Sequence, residues 1–101
     1  MLRHIVLFKF KADVPRSERE NFIEELRRLP QQISEVLEWE VGEDITRIAR
    51  SYDLALVSSY ADQSALQRYT DHPNHLPVVA HSKVICESVV SVDYETDSKL
   101  S

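Results

Sequence analysis

The sequence is poor in the residues that cross-link or flex a chain. It has one cysteine, Cys86, and one glycine, Gly42, in 101 residues. A lone cysteine cannot close an internal disulfide, so the fold must rest on its core, and a reducing cytoplasmic compartment is the expectation. With Gly42 as the only glycine, no phosphate-cradling loop of the Gly-rich kind can be built. No run approaches the ~20 apolar residues of a membrane helix, and the opening Met1-Leu2-Arg3-His4 leads into an alternating segment rather than an apolar leader. Cations are also in deficit. Twelve Lys and Arg stand against seventeen Asp and Glu, a formal net charge of −5. That balance argues against nucleic acid, whose phosphates need clustered cations, and against anionic membrane surfaces.

What is present is a globular balance, 43% hydrophobic and 29% charged, at the length of one domain. Pro15, Pro30, Gly42, Pro73 and Pro77 punctuate it without marking a linker or repeat. Leu2 to Phe10 alternates and reads as a strand, with His4, Val6, Phe8 and Phe10 on one face and Ile5, Leu7 and Lys9 on the other. Ser17 and Glu20 have capping-box spacing, so a helix is expected to begin there. Phe22, Ile23, Leu26 and Leu29 form its apolar stripe, and Pro30 ends it. Leu37 to Glu43 and Tyr52 to Tyr60 read as strands, Asp62 to Tyr69 as a second helix, and Leu76 to His81 as a short helical turn. Val84 to Tyr94 reads as the last strand. The polar residues 96–101 are expected to fray as a tail beyond a domain of residues 1–95.

The order β-α-β-β-α-β is that of a ferredoxin-like α+β protomer: a four-stranded antiparallel sheet with two main helices on one face. Strands one, three and four are apolar on both sides, and two helices can cover only one. The uncovered side, with Ile5, Leu7, Ile85 and Val89, is expected to pair with a second copy of the chain.

Chemistry concentrates in Tyr69-Thr70-Asp71-His72-Pro73-Asn74-His75, just after a helix. Histidine can act as a base near neutral pH, and a tyrosine can donate to a carbonyl oxygen as it gains charge. Each also has a plain structural reading. His72 can cap a helix end, and Tyr69 lies on the apolar stripe. His4 lies among Val6 and Phe8 and becomes a site residue only if it meets His75. Asp71, His72, His75 and His4 also raise a metal reading, since an open zinc site wants three such ligands, but the spacing is poor because Pro73 breaks the helix that would align both rings. Cys86 and Trp39 read as packing, and His81, beside Ser82 and Lys83, as exposed.

These residues resemble a known family. His4-Ile5-Val6-Leu7-Phe8-Lys9-Phe10-Lys11, Val41-Gly42-Glu43-Asp44, Tyr52-Asp53-Leu54-Ala55-Leu56, Leu66, Tyr69, His72-Pro73-Asn74-His75 and Val92-Asp93-Tyr94 are similar, in that order, to the stress-responsive dimeric α/β-barrel (Dabb) family, over residues 2–95. The resemblance implies a dimer whose two sheets form an α/β barrel. Most members have no assigned reaction, and some accumulate under stress or form very stable assemblies. Others are polyketide cyclases that close a carbon ring by aldol-type condensation without cofactor or metal. In those the motif tyrosine and second histidine act, here Tyr69 and His75, with His4 nearby. His75 would then be the general base and Tyr69 its partner, in a ligand pocket with His4, His72 and apolar walls from Val6, Phe8, Phe22 and Leu26. Leu26 stands where a cyclising member can carry an aromatic polar residue. A cofactor-free monooxygenase is a further alternative on similar barrels.

Overall fold

The computed structural model describes residues 1–100. Its elements are β1 (Leu2–Phe10), α1 (Arg16–Arg28), a 3-10 turn (Leu29–Gln31), β2 (Glu38–Glu43), β3 (Leu54–Tyr60), α2 (Gln63–Thr70), α3 (Leu76–Ile85) and β4 (Cys86–Glu95). The strands form one antiparallel sheet in the order β2-β3-β1-β4. This is the ferredoxin-like arrangement, with the apolar strands β1 and β3 in the middle and the helices on one face.

The helix-side core follows the alternation of the strands. Phe8 and Phe10 of β1, with Leu54 and Leu56 of β3, meet Phe22, Ile23 and Leu26 of α1. Phe22 is fully buried at the centre, edge-on to Phe8 (centroids 5.3 Å apart) and to Phe10 (6.2 Å). Replacing it by alanine removes a whole ring from a site that cannot collapse. Phe22→Ala is expected to cost ~3–5 kcal/mol, on the order of 15 °C in Tm, read by thermal unfolding.

Three local details differ from the pattern in the sequence. First, α1 begins at Arg16, its N-cap is Pro15, and no side chain caps it. The Pro15 carbonyl accepts from Glu18 and Arg19, so Ser17 already lies inside the first turn and cannot form a capping box with Glu20, which pairs with Arg16 instead (3.0 Å). At α2 the side chain does cap: Asp62 accepts from the Ala65 N–H at 2.8 Å.

Second, α3 is longer than a turn and absorbs Val84 and Ile85. Val78, Ser82 and Ile85 recur at helical spacing and are buried, which overrides the β-branched run. Ile85 therefore belongs to the core, not to the open face. β4 then starts at Cys86, and its register with β1 slips between Lys9 and Phe10. A one-residue slip exchanges the faces of a strand. Val89 consequently sits opposite Phe8 on the helix side, while Val90, Val92 and Tyr94 sit opposite Leu7, Ile5 and Arg3 on the open side. The open face is thus apolar in its middle, with Ile5, Leu7, Ala55, Val57, Val90 and Val92.

Third, residues 96–100, after β4, are held. Arg3, buried on the open face, donates to the Ser98 carbonyl (2.6 Å) and to Glu38 (3.2 Å), and Leu100 N–H donates to Glu38 (2.9 Å). Residues 96–100 fold back across the end of the open face instead of fraying, and Ser101 lies outside the described residues.

Candidate functional site

β1 and the α2–α3 turn bring the site together. His4 projects from β1 towards the helices, Tyr69 from the last turn of α2, and His75 stands at the N-cap of α3. All three line one cavity of about 220 Å³ between sheet and helices, together with Val6, Phe8 and Leu26. Two residues expected with them stand elsewhere. Phe22 lies behind Phe8 as backing for the wall. His72 turns away, its Nδ1 accepting the Asn74 N–H (3.0 Å). α3 supplies Val78, Val79 and Ser82, and β4 supplies Val89, Val90 and Ser91. Of these, Ser82 lies beyond the short turn expected at Leu76 to His81, and Val89 was expected on the open face because the phase of β4 depends on where α3 ends.

His75 is held in one tautomer. Its Nδ1 donates to the Thr70 carbonyl (3.0 Å), which leaves Nε2 as a lone-pair acceptor. Its ring lies on Tyr69, centroids 4.2 Å apart. Burial pushes its pKa down; the bond to Thr70 opposes that, and the neighbouring His4 and His72 reinforce it. The imidazole is therefore neutral at pH 7 and free to accept a proton.

Tyr69 is buried, and burial first, then Tyr60, pushes its phenol well above the ordinary value. The hydroxyl stays protonated and can only donate or accept hydrogen bonds. Tyr60 packs at 5.0 Å from it and donates to Ser58 Oγ (3.1 Å), which donates to the His4 carbonyl (3.4 Å). Trp39 closes the far side of Tyr69, centroids 6.1 Å apart. Opposite, the Nδ1 of His4 is hydrogen-bonded to the Asp93 carboxylate, its cross-strand partner on β4. Asp93 thus fixes the His4 ring and leaves Nε2 as its free nitrogen. The sequence signal for Asp93 was the strand pairing, which could not be read without the bulge.

The arrangement presents one neutral imidazole base, one phenol donor and one carboxylate-tethered imidazole on the wall of an apolar space. No lysine or arginine lines it. Cys86 is buried away from these groups, its thiol pushed up to about 11 by burial, with Asp53 adding to the rise. It is held as an unreactive thiol.

The residue that departs most from expectation is His81. It is not exposed but clamped between two carboxylates of α1, Glu25 (2.6 Å) and Glu18 (2.8 Å), edge-on to Phe22. Burial opposes its charge, but the bonds to Glu18 and Glu25 prevail and raise its pKa. A raised native pKa stabilises the fold fully below the unfolded value of about 6.5, and that contribution is lost as pH rises through the native value. His75, with its lowered pKa, acts the other way, and its contribution is lost as pH falls below about 6.5. Stability should therefore peak near neutrality, and His81→Gln should flatten only the alkaline side. Denaturant unfolding at a series of pH values reads this; an unchanged alkaline slope would refute the clamp.

Comparison with known proteins identifies the lineage. The model of the stress responsive A/B barrel domain (Dabb) matches residues 2–96. The chain belongs to that family. An uncharacterized protein of Streptomyces coelicolor is 37% identical over 97 residues, covering 94% of this chain and 99% of the relative. A stress-response A/B barrel domain-containing protein of Arabidopsis thaliana is 32% identical over 96% of this chain, which spans only 37% of that relative's length. Among solved structures, a dimeric ferredoxin-like protein of unknown function from Bacteroides fragilis superposes with a TM-score of 0.82 at 32% identity, covering 94% of this chain and 95% of that one. Among the described residues of this Dabb chain, no helix is long and apolar enough to cross a membrane.

Proposed function

We propose that this Dabb chain works as a homodimer in the cytoplasm and that each protomer binds a small, neutral carbonyl compound between sheet and helices. The observation that carries the binding reading is the convergence of His4, Tyr69 and His75 on one apolar cavity. At about 220 Å³ the space lies below the ~300 Å³ at which drug-sized ligand pockets begin, so the ligand is compact. With no cation on its walls, the cavity has nothing to neutralise a phosphate or carboxylate. A carbonyl oxygen accepting from Tyr69, with an acidic C–H towards Nε2 of His75, matches the donor and the base to one compact ligand. Such a pose also permits proton abstraction beside the carbonyl, the first step of aldol-type chemistry, with His75 as base and Tyr69 steadying the enolate.

The dimer is supported by the apolar open face and by the dimeric state of the Bacteroides relative. The binding reading is tested by thermal shift with small aryl ketones, β-diketones and matched carboxylates. Neutral carbonyl compounds should raise Tm with concentration, as mass action requires, and carboxylates should not. A flat response to every neutral carbonyl compound would contradict the reading.

A further inference from the structure

The ten residues between β2 and β3, Asp44 to Asp53, form a loop braced by its own polar groups. Asp44 accepts from the Arg47 N–H (2.8 Å) and guanidinium (3.2 Å), and Arg47 reaches on to Asp53 (2.6 Å). Asp53 accepts from the Phe10 N–H (2.8 Å) and donates its own N–H to the Phe8 carbonyl (2.9 Å), which ties the loop to β1. Arg47 sits at φ 51°, a left-handed conformation that a side chain adopts only where its surroundings impose it. Yet this fixed loop holds Ile45 at 91% and Ile48 at 50% exposure. Two isoleucines on a rigid support, facing water, are an interaction surface without its partner.

The neighbouring surface indicates which partner fits. Tyr52, at the loop's end, lies across the open sheet face, its hydroxyl bonded to Ser88 Oγ of β4 (2.8 Å) and its ring under Lys9. Beside it is a depression lined by Leu7, Ala55, Gly42 and Tyr52. A side chain at Gly42 would meet nothing within 4 Å, so the hollow is not required by the protomer's own packing. The loop is therefore continuous with the apolar face that the second copy covers. The charges are also self-complementary: Arg50 on the loop and Glu40 on β2 have no ion-pair partner among the described residues. A two-fold interface needs both signs on one surface, because each copy meets its own patch.

We propose that the β2–β3 loop is a dimer arm, which seats Ile45 and Ile48 of one copy against the open sheet face of a second copy, beside the hollow floored by Gly42. It rests on the dimeric reading above and adds the part of the chain that grips. Full-length Ile45→Ser/Ile48→Ser and, separately, Gly42→Leu are compared with the native chain by sedimentation over a dilution series. Thermal unfolding of each checks that the protomer is intact. The double variant should raise the dimer dissociation constant about tenfold or more, and Gly42→Leu, by filling the hollow, should do the same. A double variant whose dissociation constant stays within about twofold of native overturns the arm, whatever Gly42→Leu does, and leaves the two isoleucines to another partner. A native chain that is monomeric throughout fails the dimeric reading itself, and the arm with it.

Discussion

Val90→Asp/Val92→Asp is expected to sediment as a monomer at concentrations where the native chain is a dimer. Both valines stand on β4 opposite Leu7 and Ile5, on the face that no helix covers. In a two-fold pairing each substitution occurs twice, so four carboxylates would be carried into an apolar interface. Leaving one charge buried and unpaired there costs about 2–5 kcal/mol, so the dissociation constant should rise by at least ~10³-fold. The protomer should survive, because Val90 and Val92 are already 44% and 56% exposed in it. Far-UV circular dichroism close to native, with a halved mass, is the expected result. A double variant that remains dimeric at native affinity would place the interface elsewhere.

His75→Ala is expected to abolish the response to neutral carbonyl ligands, and any turnover on them, while the fold stays intact. A positioned general base contributes about 10²–10⁴-fold, so a loss of at least ~100-fold should be seen in any proton-transfer rate. The structural alternative is concrete, since the ring stacks on Tyr69 and is bonded to Thr70. If that were its whole role, His75→Ala would lower Tm and leave ligand affinity untouched. Tyr69→Phe separates the two readings further. It keeps the buried ring and removes only the hydroxyl, so it should weaken carbonyl binding with little loss of packing.

The sheet, the helices and the grouping of His4, Tyr69 and His75 were legible because each depends on short-range pattern. Alternation in β1 sets His4 on the helix side with Val6 and Phe8. Tyr69 and His75 are six residues apart across a Pro-containing turn, so local geometry alone keeps them close. Elsewhere tertiary packing decided. The run from Val84 through Val90 has strand composition throughout, and only the burial of Ile85 in the core fixes where helix gives way to strand. That single boundary carries the phase of β4, and with it the identity of Val90 and Val92 as open-face residues and of Asp93 as the partner of His4. His81 looked exposed because its sequence neighbours are polar. Its real neighbours, Glu18 and Glu25, are more than fifty residues away in the chain. Cross-chain pairs of that kind leave no periodic trace.

The most direct test is the mass of the native chain at high dilution. Sedimentation equilibrium should give a single species of twice the 11.7 kDa chain mass into the submicromolar range, with no binding of an apolar dye. A species of 11.7 kDa at all concentrations, whose Ile5, Leu7, Val90 and Val92 surface stays open to water, would contradict the account.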